Sequence, residues 1–562
     1  MFVTDIRKEF YDKVVHERVL VLVAFDVDAL CACKILQYLF QCDHVQYTIV
    51  PITGRQELEN AFLEHSEQVK YVVMINCGGN INILETLQPA EHVIFFIADS
   101  HRPVDLVNVY NDDQVKLLMP TTDDFDIPAY DDLFKDDESD DDSGNESDSS
   151  APSGKRRRLD EEVLERRRER RLWEEKRKQI LLDYEEFSTY GTSSAMIMFD
   201  LAWKMSKDSN DLLWWGIVGL TDQYINNRVE RGKYMTDVGD LHKHTLRLNH
   251  RDSLQLHVRN MGKQGISSCY YIRLPDLFVH WSLFESLKHS SYPACKFKMW
   301  TVKGQQKMHE FLADMGLPLV QVKQKFTSMD MGLKESFKGL FTASCEKYGL
   351  DDISFGSFIA QYGYKNKLCA ADVVYAVNGL MECVEAEKSP TGYFLEALDC
   401  LSRQNVKKLL RGLDLAKRQL TTIMQTVHSF IDMKQIISAG PFLYAYIPEG
   451  HPDVKFFSRP NCLGMLAYFM QEAYVATSRS RRSTLLPMVV AAPLNAETGS
   501  ALVIGIPPKA EESTKNFFGR AFEQAAIQTN SRTLHDNFDT SIIEMKSEDR
   551  SKFFDALISL LS

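Results

Sequence analysis

Four short stretches of this chain place acidic, amide or imidazole side chains where chemistry could gather. They are Phe25-Asp26-Val27-Asp28, Asn76-Cys77-Gly78-Gly79, Asp99-Ser100-His101-Arg102-Pro103, and Asp222 within Gly219-Leu220-Thr221-Asp222-Gln223. The first three each follow a short apolar run that reads as a strand. Parallel strands bring their carboxyl ends together, so these groups should converge within a few ångströms. Carboxylates and an imidazole in one place suit Mn²⁺ or Mg²⁺ bridging a phosphate. The plainer reading stands beside this: Asp28 opens a helix and makes a good N-cap, as does Asp99 or Ser100. A lone Asp-x-Asp is a weak signal. Three groups that recur at strand ends, with Asp222 as a fourth of the same chemistry, are a stronger one.

The elements that must position these groups alternate along the first hundred residues. RVLVLVAF (18–25) is a nearly continuous apolar run, as expected for a strand buried on both faces. DALCACKILQYLF (28–40) has helical periodicity, VQYTIVPI (45–52) is the next strand, and QELENAFLEH (56–65) the next helix. KYVVMINC (70–77) and HVIFFIAD (92–99) are two further strands. This βαβαβ run predicts a parallel sheet with helices on both faces. Residues 121–154 are acidic and rich in Ser and Gly, and cannot bury a core. KRRRLDEEVLERRRERRLWEEKRK (155–178) reads as an exposed, charge-laced helix. Residues 112–180 are therefore treated as one insertion, disordered first and helical later.

Regular structure resumes with two apolar helices, 188–206 and 210–225. Residues 236–395 are mostly helix-patterned with few strand signals. A Gly-Leu-Pro stop within 311–330 precedes an amphipathic helix, and 398–430 reads as one long helix. The chain then returns to α/β. Strands are expected at 441–448, 485–494 and 500–507, the last two as a hairpin around Glu497-Thr498-Gly499, and helices at 516–528 and 548–561. No repeat at solenoid periods is visible.

Composition bounds the function. The 562 residues, 44% hydrophobic and 11% aromatic, exclude a wholly disordered chain and fit three or four ordinary domains. No apolar run approaches the ~18 residues of a membrane span, and the first ten residues carry no apolar core of a secretory signal. The 11 cysteines are scattered, with no C-x-x-C, which argues against a zinc ribbon or disulfide framework and for a reducing compartment. The net charge of −13 is local. Residues 121–150 hold thirteen acids against Lys135 alone, a net −12, and leave the other 532 residues at −1. An acidic total therefore does not exclude nucleic-acid binding elsewhere.

FDVDAL, INCGG, ADSH and GLTDQ, in this order and spacing, resemble the four motifs of the DHH phosphoesterase superfamily, which includes the RecJ single-strand exonucleases. GTSSAMIMFDLAWKMS and NDLLWWGIVGLTDQYI resemble the two helices that carry the fourth motif. Further segments, among them DSHRPV, NVYND, GTSSAM, FLADMGLPL, QVKQKF, NFFGRAFEQAA and EDRSKFFDALISLLS, extend the resemblance from Met1 to Ser562. They are similar to a RecJ-related family of eukaryotic replicative-helicase subunits, acidic insertion included.

The resemblance implies an α/β fold with a parallel-sheet DHH domain, an all-helical interdomain and a smaller C-terminal α/β domain of the DHHA1 type. On this chain these fall at 1–111 and 181–235, interrupted by the insertion at 112–180, then 236–395, then 396–562. It also implies a scaffold that has lost nuclease activity. Asp26 and Asp28 match the first motif and Asp222 the fourth. The second motif's Asp is replaced by Asn76, and D-H-H has become Asp99-Ser100-His101. Asn76 removes a full negative charge facing a dication, an interaction of roughly 4 kcal/mol at ~4 Å and an effective dielectric near 20. Ser100 removes an imidazole. No catalytic residue, metal or other cofactor is expected, although one Mg²⁺ or Mn²⁺ at Asp26, Asp28, Asp99 and His101 stays open. The alternative is a working metal-dependent single-strand exonuclease or phosphoesterase.

The chain has no G-x-x-x-x-G-K-[ST] and no G-x-G-x-x-G, so helicase energy must come from a partner. The resemblance implies the minichromosome maintenance ATPase hexamer and the GINS complex as partners. It also implies single-stranded DNA and replication origins, fork factors such as polymerases and checkpoint adaptors, and a nuclear location. Nucleic-acid candidates are Lys365, Lys367, Arg479, Arg481, Arg482, Lys515 and Arg520, the last two flanking Phe517-Phe518. At least one of those phenylalanines is expected to face the core instead. No zinc finger, RRM or homeodomain pattern occurs. Lys155, Arg156, Arg157 and Arg158, with Arg166–Arg168 beyond, resemble a nuclear localisation signal or an exposed helix pairing with its own acids. Ser139, Ser143, Ser147, Ser149 and Ser150 lie among acids, as acidophilic kinase sites do. A third reading makes the chain an acidic adaptor working through its insertion. Trp214 and Trp215 are expected in the core.

Overall fold

A computed structural model describes residues 1–66, 69–120, 127–134, 153–255, 266–272, 280–350, 354–362, 366–385, 388–495, 497–509 and 514–562. Of these, the side chains of 153–167, 250–255, 266–272, 327, 335, 338, 354–355 and 481 lie outside the description. The chain forms two compact units, 1–121 with 188–562, and 122–187.

The larger unit begins with a five-stranded parallel sheet. Its strands are β1 (Arg18–Ala24), β2 (Gln46–Ile52), β3 (Tyr71–Ile75), β4 (Ile94–Ala98) and β5 (Val115–Leu117), in the order β2-β1-β3-β4-β5. Residues 19–23 of β1 and 72–75 of β3 are buried on both faces, which is why their sequences run apolar without alternation. Helices α1 (Val27–Cys42) and α2 (Arg55–His65) connect them. The sheet order reverses between β1 and β3, which makes a crevice at their carboxyl ends. In register, Val23 lies opposite Ile75 and Ile75 opposite Ala98, so the three strands end level. Two further helices, α3 (Ser194–Lys204) and α4 (Asn210–Ile225), pack on α1. Trp214 and Trp215 of α4 are buried, and their indole N–H groups donate to the Tyr362 hydroxyl at 2.8 Å and the Leu401 carbonyl at 3.1 Å.

The middle of the chain is not all helix. Strands β6 (Ile266–Ile272), β7 (Ser354–Tyr362) and β8 (Asn366–Cys369) form an antiparallel sheet in the order β8-β7-β6. The Gly-Leu-Pro segment starts only a short helix, Leu319–Lys323, because Gln324 turns extended and Asp330 caps a new helix from Met331, accepting from the Gly332 N–H at 2.9 Å. The segment expected as one long helix is divided as well: one helix ends at Cys400, and α5 (Val406–Asp432) begins after a 3₁₀ turn at Arg403–Asn405.

The C-terminal part holds a six-stranded sheet: β9 (Ile437–Ser438), β10 (Leu443–Tyr446), β11 (Met488–Asn495), β12 (Ser500–Ile506), β13 (Thr533–Leu534) and β14 (Ile542–Lys546), in the order β9-β10-β11-β12-β14-β13. The expected hairpin is there as the antiparallel β11–β12 pair. Its residues alternate between two cores. Val489, Ala491, Ala501 and Val503 face helices Phe518–Thr529 and Arg550–Leu561. Met488, Val490, Leu502 and Ile504 share a core with Pro460–Thr477, with α5, and with apolar residues between Leu283 and Leu350.

The smaller unit contains a short helix, Tyr130–Leu133, and a 32-residue helix, Ser153–Tyr184. Arg170 pairs with Glu174 at 3.2 Å and Lys176 with Asp132 at 2.6 Å, all largely exposed. Most of the acidic tract, with Ser139, Ser143, Ser147, Ser149 and Ser150, lies outside the described residues, as do the side chains of Lys155–Arg158, Arg166 and Arg167. Among the described residues no helix is long and apolar enough to cross a membrane.

Candidate functional site

The strand ends bring together the motif residues named from the sequence, and each has a defined local role. Asp26, directly after β1, is the N-cap of α1 and accepts from the Ala29 N–H at 2.7 Å. Asp28, expected as a cap of its own helix, sits inside the first turn and caps another one. Its carboxylate accepts from the Ser194 N–H at 2.9 Å, the Ala195 N–H at 3.0 Å and the Ser193 hydroxyl, all at the start of α3. Gly219 of α4 permits this approach: a Cβ there would lie 2.5 Å from the Ala195 Cβ and 2.8 Å from Asp28 Oδ1.

Asn76 is the hub. It takes a left-handed backbone conformation, φ 54°, which an asparagine tolerates well. Its Oδ1 accepts from the Ser100 N–H at 3.0 Å and the Ser194 hydroxyl at 2.6 Å. A backbone N–H can only donate, so this fixes which way the amide points. Nδ2 must then face the acids, and it lies 3.3 Å from Asp26 Oδ1 and 3.2 Å from Asp28 Oδ2. A neutral N–H₂ group thus bridges two carboxylates.

Asp99 is fully buried and engaged on both oxygens. Oδ2 accepts from the Gly78 and Gly79 N–H groups at 3.0 and 2.7 Å. Oδ1 accepts from the His101 N–H at 2.9 Å and meets His101 Nδ1 at 2.7 Å. Burial works against its charge, but the His101 imidazole and these donors outweigh it and hold the carboxyl down at about 2. His101 is raised in turn: burial opposes its charge, and Asp99 overrides that. Asp222 behaves oppositely. Burial raises it to about 7, with Arg228 opposing and Asp26 and Asp28 adding to the rise. Burial likewise raises Asp26, again opposed by Arg228.

Three contributors were not read from the sequence. Ser193 and Ser194 lie in the quoted GTSSAM segment, yet nothing in their type says that they meet Asp28 and Asn76. Arg228 follows the end of α4 and places Nη1 3.5 Å from Asp222 Oδ2. Its guanidinium carbon also lies 5.0 Å from the centre of the Tyr190 ring.

The pocket opens into a cavity of about 660 Å³ shared with the C-terminal part, lined among others by Asp26, His101, Asp222, Arg228, Arg459 and Asp539. The loop before β14 holds that part against the strand ends. Asp536 accepts from the N–H groups of Arg55 and Gln56 at the start of α2, both at 2.9 Å. The Phe538 carbonyl accepts from Asn80 Nδ2 at 2.7 Å, and Asp539 accepts from the Tyr190 hydroxyl at 2.8 Å.

Carboxylates and an imidazole at strand ends left one Mg²⁺ or Mn²⁺ open, and the donor set does not fit one. Asp28 and Asp99 have both oxygens engaged by protein donors, Asn76 turns hydrogens toward Asp26 and Asp28, and a guanidinium stands beside Asp222. Among the described residues no group of three or more His, Cys, Asp and Glu is arranged to hold a metal ion.

The nucleic-acid candidates lie on three separate elements. Lys367 is exposed on β8, Arg479 and Arg482 are exposed beyond helix Pro460–Thr477, and Lys515 is exposed ahead of helix Phe518–Thr529. Arg520 pairs with Glu523. Phe518 is fully buried, with Phe517 stacked on it at 4.6 Å, so Phe518 is core. Lys365 and the Arg481 side chain lie outside the described residues.

With this geometry in place, comparison with known proteins is direct. The chain is 55% identical to the cell division control protein 45 homologs of Mus musculus and Homo sapiens, over all of both proteins in each case. Its fold matches the crystal structure of CDC45 from Entamoeba histolytica with a TM-score of 0.71 and 22% identity, covering all of both chains. The CDC45 family profile matches residues 19–151 and 129–560, and the chain belongs to the CDC45 family.

Proposed function

We propose that this chain is a DNA-replication factor acting as a non-catalytic subunit of the replicative helicase. It bridges the minichromosome maintenance ATPase ring and GINS, serves initiation at origins and elongation at forks, and contacts single-stranded DNA in the nucleus. Polymerases and checkpoint adaptors are further fork partners, and the acidic insertion is a regulatory appendage. The observation that carries the non-catalytic part is Asn76: its amide hydrogens face Asp26 and Asp28, where hydrolysis would need a metal to sit. Family membership supports the replication role.

The test has two arms. Purified full-length protein is incubated with single-stranded DNA and Mn²⁺, alongside Asp26→Ala/Asp28→Ala. No degradation by either is expected, and degradation abolished by the substitutions would establish the exonuclease reading instead. In cells depleted of the native protein, a chain lacking 123–150 should still assemble with the ATPase ring and GINS. Loss of assembly would favour the acidic-adaptor reading.

A further inference from the structure

We propose that Arg228 is the resident cation of the strand-end pocket: together with the Asn76 amide it takes over the charge role of a divalent metal, and it ties the pocket to the C-terminal domain. This goes beyond the helicase-subunit reading and depends on no partner.

The chain is shaped to deliver this side chain. Helix α4 ends at Ile225, and Asn226 Nδ2 donates to Asp222 Oδ1 at 2.9 Å. Asn227 takes a left-handed conformation, φ 56°, and the Arg228 N–H donates back to the Gln223 carbonyl at 2.8 Å. The backbone thus doubles back over the last turn, and the guanidinium returns to Asp222, whose side chain is 1% exposed. Burial opposes the charge of Arg228, and the surrounding acids Asp222, Asp26 and Asp539 outweigh it. Asp539 comes from the C-terminal domain and accepts from Tyr190, whose ring carries Arg228 on one contact and His101, 5.2 Å away, on another.

The charge balance is informative. An Asp at position 76 would add one negative charge, and the asparagine does not. Arg228 adds one positive charge. The negative charge missing at position 76 and the positive charge of Arg228 together equal the charge of one dication. A guanidinium stays protonated at any working pH and cannot dissociate from its own chain. Unlike a metal, it does not turn a bound water into a nucleophile. The same arrangement therefore keeps the acids folded together and leaves them inert.

The test uses the full chain with Asn76→Asp, Arg228→Gln and the two combined. Mn²⁺ binding is measured by titration calorimetry, and thermal melting is followed with and without Mn²⁺. The unsubstituted chain should melt identically in both conditions. Arg228→Gln should melt about 5 °C lower. The double variant should bind Mn²⁺ on the order of 100-fold more tightly than the unsubstituted chain, with Mn²⁺ recovering its melting temperature. Arg228→Lys keeps the charge and should stay indifferent to Mn²⁺ whether or not the double variant folds without the metal. The proposal is overturned if micromolar Mn²⁺ raises the melting temperature of the unsubstituted chain or of Arg228→Lys. It is equally overturned if Arg228→Gln melts unchanged, or if a folded double variant ignores Mn²⁺. None of these readouts is nuclease activity or partner assembly, so the inference and the helicase-subunit reading can fail separately.

Discussion

The strand-end pocket and the charged helix of the insertion use the same residue types under opposite conditions. In the pocket, Asp28, Asp99 and Asp222 are essentially out of water, and each is held by specific groups: a helix start, a glycine turn with an imidazole, a guanidinium. On the helix Ser153–Tyr184, Arg170 and Glu174 form an ion pair with more than half of each side chain in solvent. Burial makes each pocket acid expensive to leave unpaired, whereas water screens the helix pair. The lesson is that charge content alone says little. The thirteen acids of 121–150 dominate the net charge, while the few acids near Asn76 are the ones buried and held in a defined geometry.

The largest break in this contrast is Asp28→Ala. It would leave the Ser194 and Ala195 N–H groups and the Ser193 hydroxyl without this acceptor inside the core, and the Asn76 amide with Asp26 in place of two carboxylates. A loss of about 3 kcal/mol or more is expected in urea unfolding monitored by circular dichroism. A loss under about 1 kcal/mol would mean that the start of α3 is satisfied some other way.

How much of this was legible beforehand follows from geometry. Asp26, Asn76 and Asp99 could be grouped because parallel strands end together, and the apolar runs that mark those strands are unmistakable. The role of Asp28 could not be read, since its partners Ser193 and Ser194 arrive from 165 residues away. Arg228 carried no signal beyond an Asn-Asn helix stop, and its place beside Asp222 depends on the left-handed turn at Asn227. The three-stranded sheet was missed for a different reason. ISSCYYI and SFGSFIAQY have strand-like aromatic and β-branched content, but they are short and lie among long helical patterns. In the C-terminal sheet both faces are covered, so apolar runs and a Glu-Thr-Gly turn were enough to place the hairpin.

A middle-sized effect separates two pocket acids by pH. Folded Asp222 holds its proton up to about 7, while the unfolded chain releases it in the ordinary carboxylate range. Between those limits the folded state binds more protons, so this group's contribution to stability falls as pH rises from about 4 to 7. Asp222→Asn has no proton to lose and should flatten that part of the profile, gaining about 1–2 kcal/mol on the unsubstituted chain between pH 5 and pH 7. Asp99 runs the other way in another window. Its folded value near 2 lies below the ordinary range, so the stability it gives is present at neutral pH and is lost only as pH falls toward 2. A pH profile that Asp222→Asn leaves unchanged would place the proton elsewhere in the pocket.

The smallest effect is the one that sharpens the contrast most. Glu174→Ala removes the partner of Arg170 on the insertion helix. The pair is spaced i,i+4 with the basic residue first, the less favourable orientation relative to the helix dipole, and both side chains are in water. Alanine is also the better helix former. The two effects oppose each other, so the expected change is within about 0.3 kcal/mol, and adding salt should not alter it measurably. If Glu174→Ala instead cost as much as a pocket substitution, Glu174 would have to be held by something other than Arg170 and water, and the division between buried and solvated charge would fail at its simplest point.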